Sequence, residues 1–226
     1  TASAQQFQAN MTFSPAQYDG EPCVQVVIRV TNDNAELEEK LREISSQDLV
    51  TGLYNRQHFL EILDSAAERA INVGQQASVA YIKVDHYTAL QTELGLAGID
   101  LLLTDLANLL RQNLSPAAQI ARFSDDAFSV LTPNSTAEAL EPELRALMKK
   151  VEAQLFDING RTAQTTLTIG VAALSEKTSK AAEVLKRAHD CADQITSGNA
   201  LKVHNPADDL AAAANRGDIV ALVQQA

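Results

Sequence analysis

Hydrophobic and polar positions alternate weakly over residues 5–13 and strongly from Pro22 to Val30, predicting two strands joined by loop residues Ser14 to Gly20. Such a hairpin cannot bury both faces on its own. From Asn34 to Ser46 the period lengthens. Leu37, Leu41 and Ile44 form one stripe, with Glu36, Glu38, Glu39, Lys40 and Arg42 around the rest, predicting an amphipathic helix. A second helix is predicted over Gln57–Ile71, with Phe59, Leu60, Leu63 and Ala67 facing inward and Asn55 placed to cap it. Ser78–Val84 is a near-continuous apolar strand interrupted only by Lys83. Ile99–Leu110 reads as a Leu-rich helix. Ala121–Leu131 reads as a β-hairpin with Ser124, Asp125 and Asp126 at its turn, Asp being tolerant of positive φ. A helix over about Ala137–Gln154, a strand over Thr165–Ala173, a helix over Lys180–Ile195 and a strand over Leu201–His204 follow. Asn205–Asp209 is a linker, and Leu210–Ala226 has a helical pattern. Strands separated by helices, with a hairpin in the middle, predict an α/β domain.

Composition narrows the function classes. The 226 residues are 46% hydrophobic but only 4% aromatic, without Trp, so the core is built from Leu, Ile, Val and Ala. A net charge of −11 opposes general binding to nucleic acids and to anionic membranes, both of which need Lys and Arg. No run is long enough to span a membrane and no signal peptide opens the chain. Cys23 and Cys191 lack metal-ligand spacing and read as reduced packing residues of a cytosolic protein. His58, His86, His189 and His204 have no second His or Cys at ligand spacing. The chain starts within a strand pattern, without Met, and is expected to be a piece of a longer protein.

The segment Asp48-Leu49-Val50-Thr51-Gly52-Leu53-Tyr54-Asn55-Arg56-Gln57-His58-Phe59 resembles the D-x-L-T-G-L-x-N-R-x-x-F opening of the GGDEF family, the diguanylate cyclase domains of bacterial signalling. Thr168-Ile169-Gly170-Val171-Ala172 resembles a later family motif, T-x-S-x-G-V-A. The resemblance covers roughly residues 48–204 and implies a palm-like domain with a central, mainly antiparallel sheet flanked by helices. It also implies flanking segments. Residues 1–33 resemble the last strands of a PAS sensor domain, the alternative being a hairpin native to this domain. Residues 34–47 are a signalling helix, or a plain amphipathic helix packed on the domain. Residues 205–226 resemble the lead-in to an EAL domain, or form a simple C-terminal helix.

The family's chemistry does not carry over with its fold. R-Y-G-G-D-E-F-x-V-L maps onto Arg122-Phe123-Ser124-Asp125-Asp126-Ala127-Phe128-Ser129-Val130-Leu131, so the flanks match and the tip does not. The resemblance places the family's metal-binding acids at Lys83 and Ala127, and divalent cations need oxygen ligands. Thr88 replaces the Lys of the same D-x-D-x-F-K motif, and Asp85 lies on the strand face of Lys83. Gln91 replaces the base-reading Asn. Asp100 is retained, either as a residual nucleotide contact or as a charge at a helix N-terminus. Ser124 and Asp125 replace glycines that let backbone approach phosphates. Ser115-Pro116-Ala117-Ala118 replaces the inhibitory R-x-x-D, and no Lys lies between Asp190 and Asn199. A cation held by Asp85, Asp125 and Asp126 would be opposed by Lys83. The expectation is an inactive domain without metal or cofactor. Its implied partners are its own PAS and EAL domains, a second copy, or a protein of the type IV pilus machinery in twitching motility, in the cytoplasm or at a cell pole. The competing expectation is a domain that binds GTP without turnover and activates the neighbouring EAL domain.

Overall fold

The computed structural model describes residues 8–18, 20–31, 45–175 and 180–207. The chain divides into two compact units, Thr1–Ser46 and Gln47–Ala226. The expected elements at residues 5–7, 34–44 and 210–226 lie outside the described residues.

In the first unit β1 (Gln8–Tyr18) pairs antiparallel with β2 (Glu21–Thr31), from Gln8 opposite Thr31 to Tyr18 opposite Glu21. The loop expected at Ser14–Gly20 is therefore mostly strand. Ser14 and Pro15 suggested a break, but a two-stranded ribbon leaves every strand an edge strand, where Pro is tolerated. The connection narrows to the residues between Tyr18 and Glu21, with Gly20 at φ 85°. Cys23 is exposed, so its reading as a packing residue does not hold; Cys191 is buried.

The second unit is a six-stranded sheet between two helical layers. The short β3 (Tyr54–Asn55) leads into α1 (Arg56–Val73). Then come β4 (Ala77–Val84), α2 (Tyr87–Asn113), β5 (Gln119–Arg122), β6 (Ala127–Pro133) and α3 (Ala137–Ala153). A small hairpin, β7 (Phe156–Ile158) and β8 (Arg161–Ala163), precedes β9 (Leu167–Leu174), α4 (Ala181–Asp193) and β10 (Leu201–Val203). The sheet order is β10-β9-β4-β6-β5-β3. The three central pairings are antiparallel and the two outer ones parallel, so the sheet is mixed.

Alternation in β4 sorts the core. Ala80, Ile82 and Val84 pack with Leu102, Leu103 and Leu106 of α2 and Leu144 and Leu147 of α3. Val79 and Tyr81 pack with Phe59 and Leu63 of α1 and Val184 and Ala188 of α4. That burial on both faces explains the near-continuous apolar run of this central strand. Gly170 lets α4 lie against β9, since a Cβ there would sit 1.9 Å from the Ala188 carbonyl oxygen.

Three local expectations change. The Leu-rich helix starts far earlier, at Tyr87, and breaks at Gly95 (φ 71°, ψ 176°) before resuming through Asp100. Asp100 is therefore not in the first turn of its helix, and its reading as a dipole charge loses its basis. The hairpin tip uses no positive φ at Ser124, Asp125 or Asp126. The β7–β8 hairpin turns on Asn159 (φ 55°) and Gly160 (φ 78°), an Asn-Gly signal present in the sequence.

Candidate functional site

The C-terminal end of β4 lies between β6 and β9, and the register puts Lys83 opposite Ala127 on one side and Thr168 on the other. Directly opposed residues share a face, so an ammonium, a methyl and a hydroxyl form one row on the α1/α4 side. Two positions predicted from sequence, Lys83 and Ala127, thus become immediate neighbours. The Lys83 Nζ donates to Asp193 Oδ1 at the end of α4, at 2.8 Å. Asp193 also meets the Nδ1 of His189 at 3.3 Å, and the His189 ring packs edge-on to Tyr81 at 4.9 Å. The Asp193 hydrogen bond raises the Lys83 pKa, and the same bond lowers that of Asp193.

Asp85 lies just past the strand, and its carboxylate engages β9 and the loop after α4. It accepts from the hydroxyls of Thr166 and Thr168, both at 2.6 Å, and from the backbone N–H of Asn199 at 2.8 Å. Lys83, Asp85, His86, Thr168 and the loop from Ile195 to Gly198 line a cleft of about 180 Å³.

The hairpin tip is anchored beside the end of β4. The carbonyl of Ala127 accepts from Phe123 and Ser124, and the carbonyl of Asp126 accepts from the Val84 N–H at 2.8 Å. The Ser124 hydroxyl donates to Asp126 Oδ1 at 2.8 Å. Phe123 wedges between Phe59 and Tyr81, with the Arg56 guanidinium 4.8 Å above its ring. Arg122 reaches the Asp125 carbonyl at 3.5 Å and the Asp48 carboxylate at 3.6 Å. Asp126 is thus engaged with Ser124 while Asp85 is engaged with β9. Among the described residues no group of three His, Cys, Asp or Glu is placed to hold a metal. A divalent cation does not fit this row, because the residue nearest its place is itself a cation.

Gln91 and Asp100 fall on opposite sides of the Gly95 break, and no hydrogen bond joins them. The sequence did not single out Tyr87, at the start of α2. Burial raises its phenol pKa, with Arg122 opposing and Asp125, Asp100 and Asp126 adding to the rise. Thr88 offers only its carbonyl, to Thr92. Ser115–Ala118 forms a tight turn, with Ala118 N–H on the Ser115 carbonyl at 2.9 Å. Asp193, Thr166 and Asn199 were also missed. A lone Lys in an apolar strand announces that a counter-charge is needed but not which acid supplies it.

No helix among the described residues is long and apolar enough to cross a membrane. Residues 45–199 match the family profile described as "Diguanylate cyclase, GGDEF domain". The chain is similar to the FimX GGDEF domain from Pseudomonas aeruginosa, with 48% identity, TM-score 0.68, and coverage of 70% of this chain and 98% of that one. The coiled coil and GGDEF domain of DgcB from Caulobacter crescentus, crystallised with c-di-GMP, shares the fold at 20% identity. Its TM-score is 0.70, over 76% of this chain and 92% of that one. Among curated relatives, the cyclic di-GMP phosphodiesterase NbdA of P. aeruginosa is 30% identical over 151 residues, covering 66% of this chain and 19% of that protein. The diguanylate cyclase DgcP of the same organism is 30% identical over 135 residues, 60% of this chain and 20% of its own length. The chain spans about a fifth of these two relatives. Over residues 45–199 it belongs to the GGDEF domain family.

Proposed function

We propose that this GGDEF domain is non-catalytic and works as a relay in a cyclic-di-GMP effector that serves type IV pilus biogenesis and twitching motility. The carrying observation is the row Lys83–Ala127–Thr168, where Lys83 is ion-paired to Asp193. Joining two nucleoside triphosphates requires cations bridging phosphate oxygens. An ammonium and a methyl at neighbouring strand positions supply no oxygen ligand. The similarity to the FimX GGDEF domain supports the setting, and the pilus role rests on resemblance to degenerate PAS-GGDEF-EAL proteins. Incubating the chain with GTP and Mg²⁺ and assaying for cyclic-di-GMP tests this reading. No product above a protein-free control is expected; product formation would end it.

A second reading is favoured by the cleft beside Lys83: GTP binds without turnover and activates a neighbouring EAL domain. There Lys83 would leave Asp193 and contact phosphate directly. Saturable GTP binding that does not need Mg²⁺ and is lost in Lys83→Glu would select this reading over the relay.

A further inference from the structure

One carboxylate gathers three separate parts of the chain. Asp85 extends β4, Thr166 and Thr168 belong to the approach to β9 and to β9 itself, and Asn199 sits in the loop from α4 to β10. The backbone supports the same junction, with Asp85 N–H on the Thr166 carbonyl at 3.0 Å and the Thr165 hydroxyl on the Asp85 carbonyl at 2.9 Å. The loop is shaped to reach it. Gly198 and Asn199 have consecutive positive φ values, 68° and 44°, and a Cβ on Gly198 would lie 3.2 Å from Asp85 Oδ2. Immediately beyond, Ile169 N–H donates to the Ala200 carbonyl at 2.9 Å, β10 runs parallel to β9, and His204 N–H donates to the Val171 carbonyl at 2.7 Å.

β10 is a three-residue edge strand whose Leu201 and Val203 pack only partly buried against the core. Short edge elements with few buried apolar contacts open at lower free energy than the core. At its entrance, the Asp85 junction contributes charge-assisted hydrogen bonds, which are stronger than neutral ones. β10 also leads directly to residues 204–207 and the rest of the chain.

We infer that Asp85 is a clasp, and that the loop Ile195–Asn199 together with β10 forms a strap that docks on or peels from the sheet as a unit. The strap couples the end of β4 to the chain beyond residue 204. The inference rests on the relay reading, for which it supplies a moving part. Asp85 is a positioning residue here, acting through Asn199.

Hydrogen exchange followed by mass spectrometry on the full 226-residue chain tests it. In Asp85→Ala, amides of residues 199–204 are expected to exchange about tenfold faster or more, the effect of losing hydrogen bonds to a charged group. Amides of β4 and β6 should keep their wild-type rates, whereas Ile169, whose N–H donates to the Ala200 carbonyl, should accelerate with the strap. Gly198→Ala, which crowds the carboxylate from the other side, should accelerate the same amides and guards against a variant that fails to fold. Unchanged exchange at 199–204 in both variants, or acceleration of strap and core together in both, overturns the clasp. GTP turnover by the wild type would end the relay reading without altering these exchange patterns, so the two failures are distinguishable.

Discussion

The opening segment Asp48–Phe59 and the site at the end of β4 are joined through Arg122, yet they use their side chains differently. In the opening segment the residues that resemble the family also do structural tasks. The Asp48 carboxylate accepts from the Thr51 backbone N–H and hydroxyl, both at 2.8 Å. Asn55 caps α1 by accepting the His58 N–H at 2.9 Å, and Phe59 is fully buried. At the site Lys83 and Ser124, which differ from the family motifs, and Asp85 and Asp126, which match them, are engaged with protein groups: Lys83 with Asp193, Ser124 with Asp126, Asp85 with β9 and Asn199. Folding constrains the first region whatever the domain does. In the second, the side chains are paired with protein groups, and under the proposed non-catalytic reading that pairing lets the fold persist without the family's chemistry.

Substitutions should separate the two regions by their cost in stability, measured by denaturant unfolding. Phe59→Ala should be the most damaging, about 3–5 kcal/mol, because it empties a large buried volume between α1 and the hairpin. Asn55→Ala should cost about 1 kcal/mol through the lost helix cap. Lys83→Ala should cost less than about 1 kcal/mol, since Lys83 and Asp193 remain 35% and 46% exposed and solvent screens the pair. Its cost should also depend on pH. Asp193 is held below the usual carboxylate value, so its contribution is complete above that value and disappears as pH falls through the depressed one. Lys83 is held above the usual lysine value, so its contribution is complete below that value and disappears as pH rises through the raised one. Wild type and Lys83→Ala should therefore differ across the neutral range and converge in strong acid. Ser124→Ala should be the mildest, about 0.5 kcal/mol, for the loss of one hydrogen bond at a half-buried turn. A Lys83→Ala cost near that of Phe59→Ala would erase the contrast.

Much of this was legible in the chain. Asn55 as a cap, the stripe of Phe59, Leu63 and Ala67, and β4 as a central strand all follow from local pattern, since each depends on residues a few positions apart. The neighbourhood of Lys83 and Ala127 followed from resemblance and is realised by register. What escaped detection depended on distant partners or competing signals. Asp193 lies far along the chain from Lys83, and nothing local marks it among many acids. The first half of α2 was passed over because Gly95 interrupts its period. The alternation over residues 5–13 stops short of the end of β1 at Tyr18, because Ser14–Gly20 reads as loop, although a ribbon edge accepts Pro15. The Asn159–Gly160 hairpin was readable and was missed between two stronger elements.

The most direct test of the central claim is calorimetric titration of the folded chain with GTP, with and without Mg²⁺. If Lys83 and Ala127 have replaced the metal ligands, Mg²⁺ adds no saturable heat to the GTP titration. Saturable binding that requires Mg²⁺, in a chain shown to retain the Lys83–Asp193 pair, would contradict it.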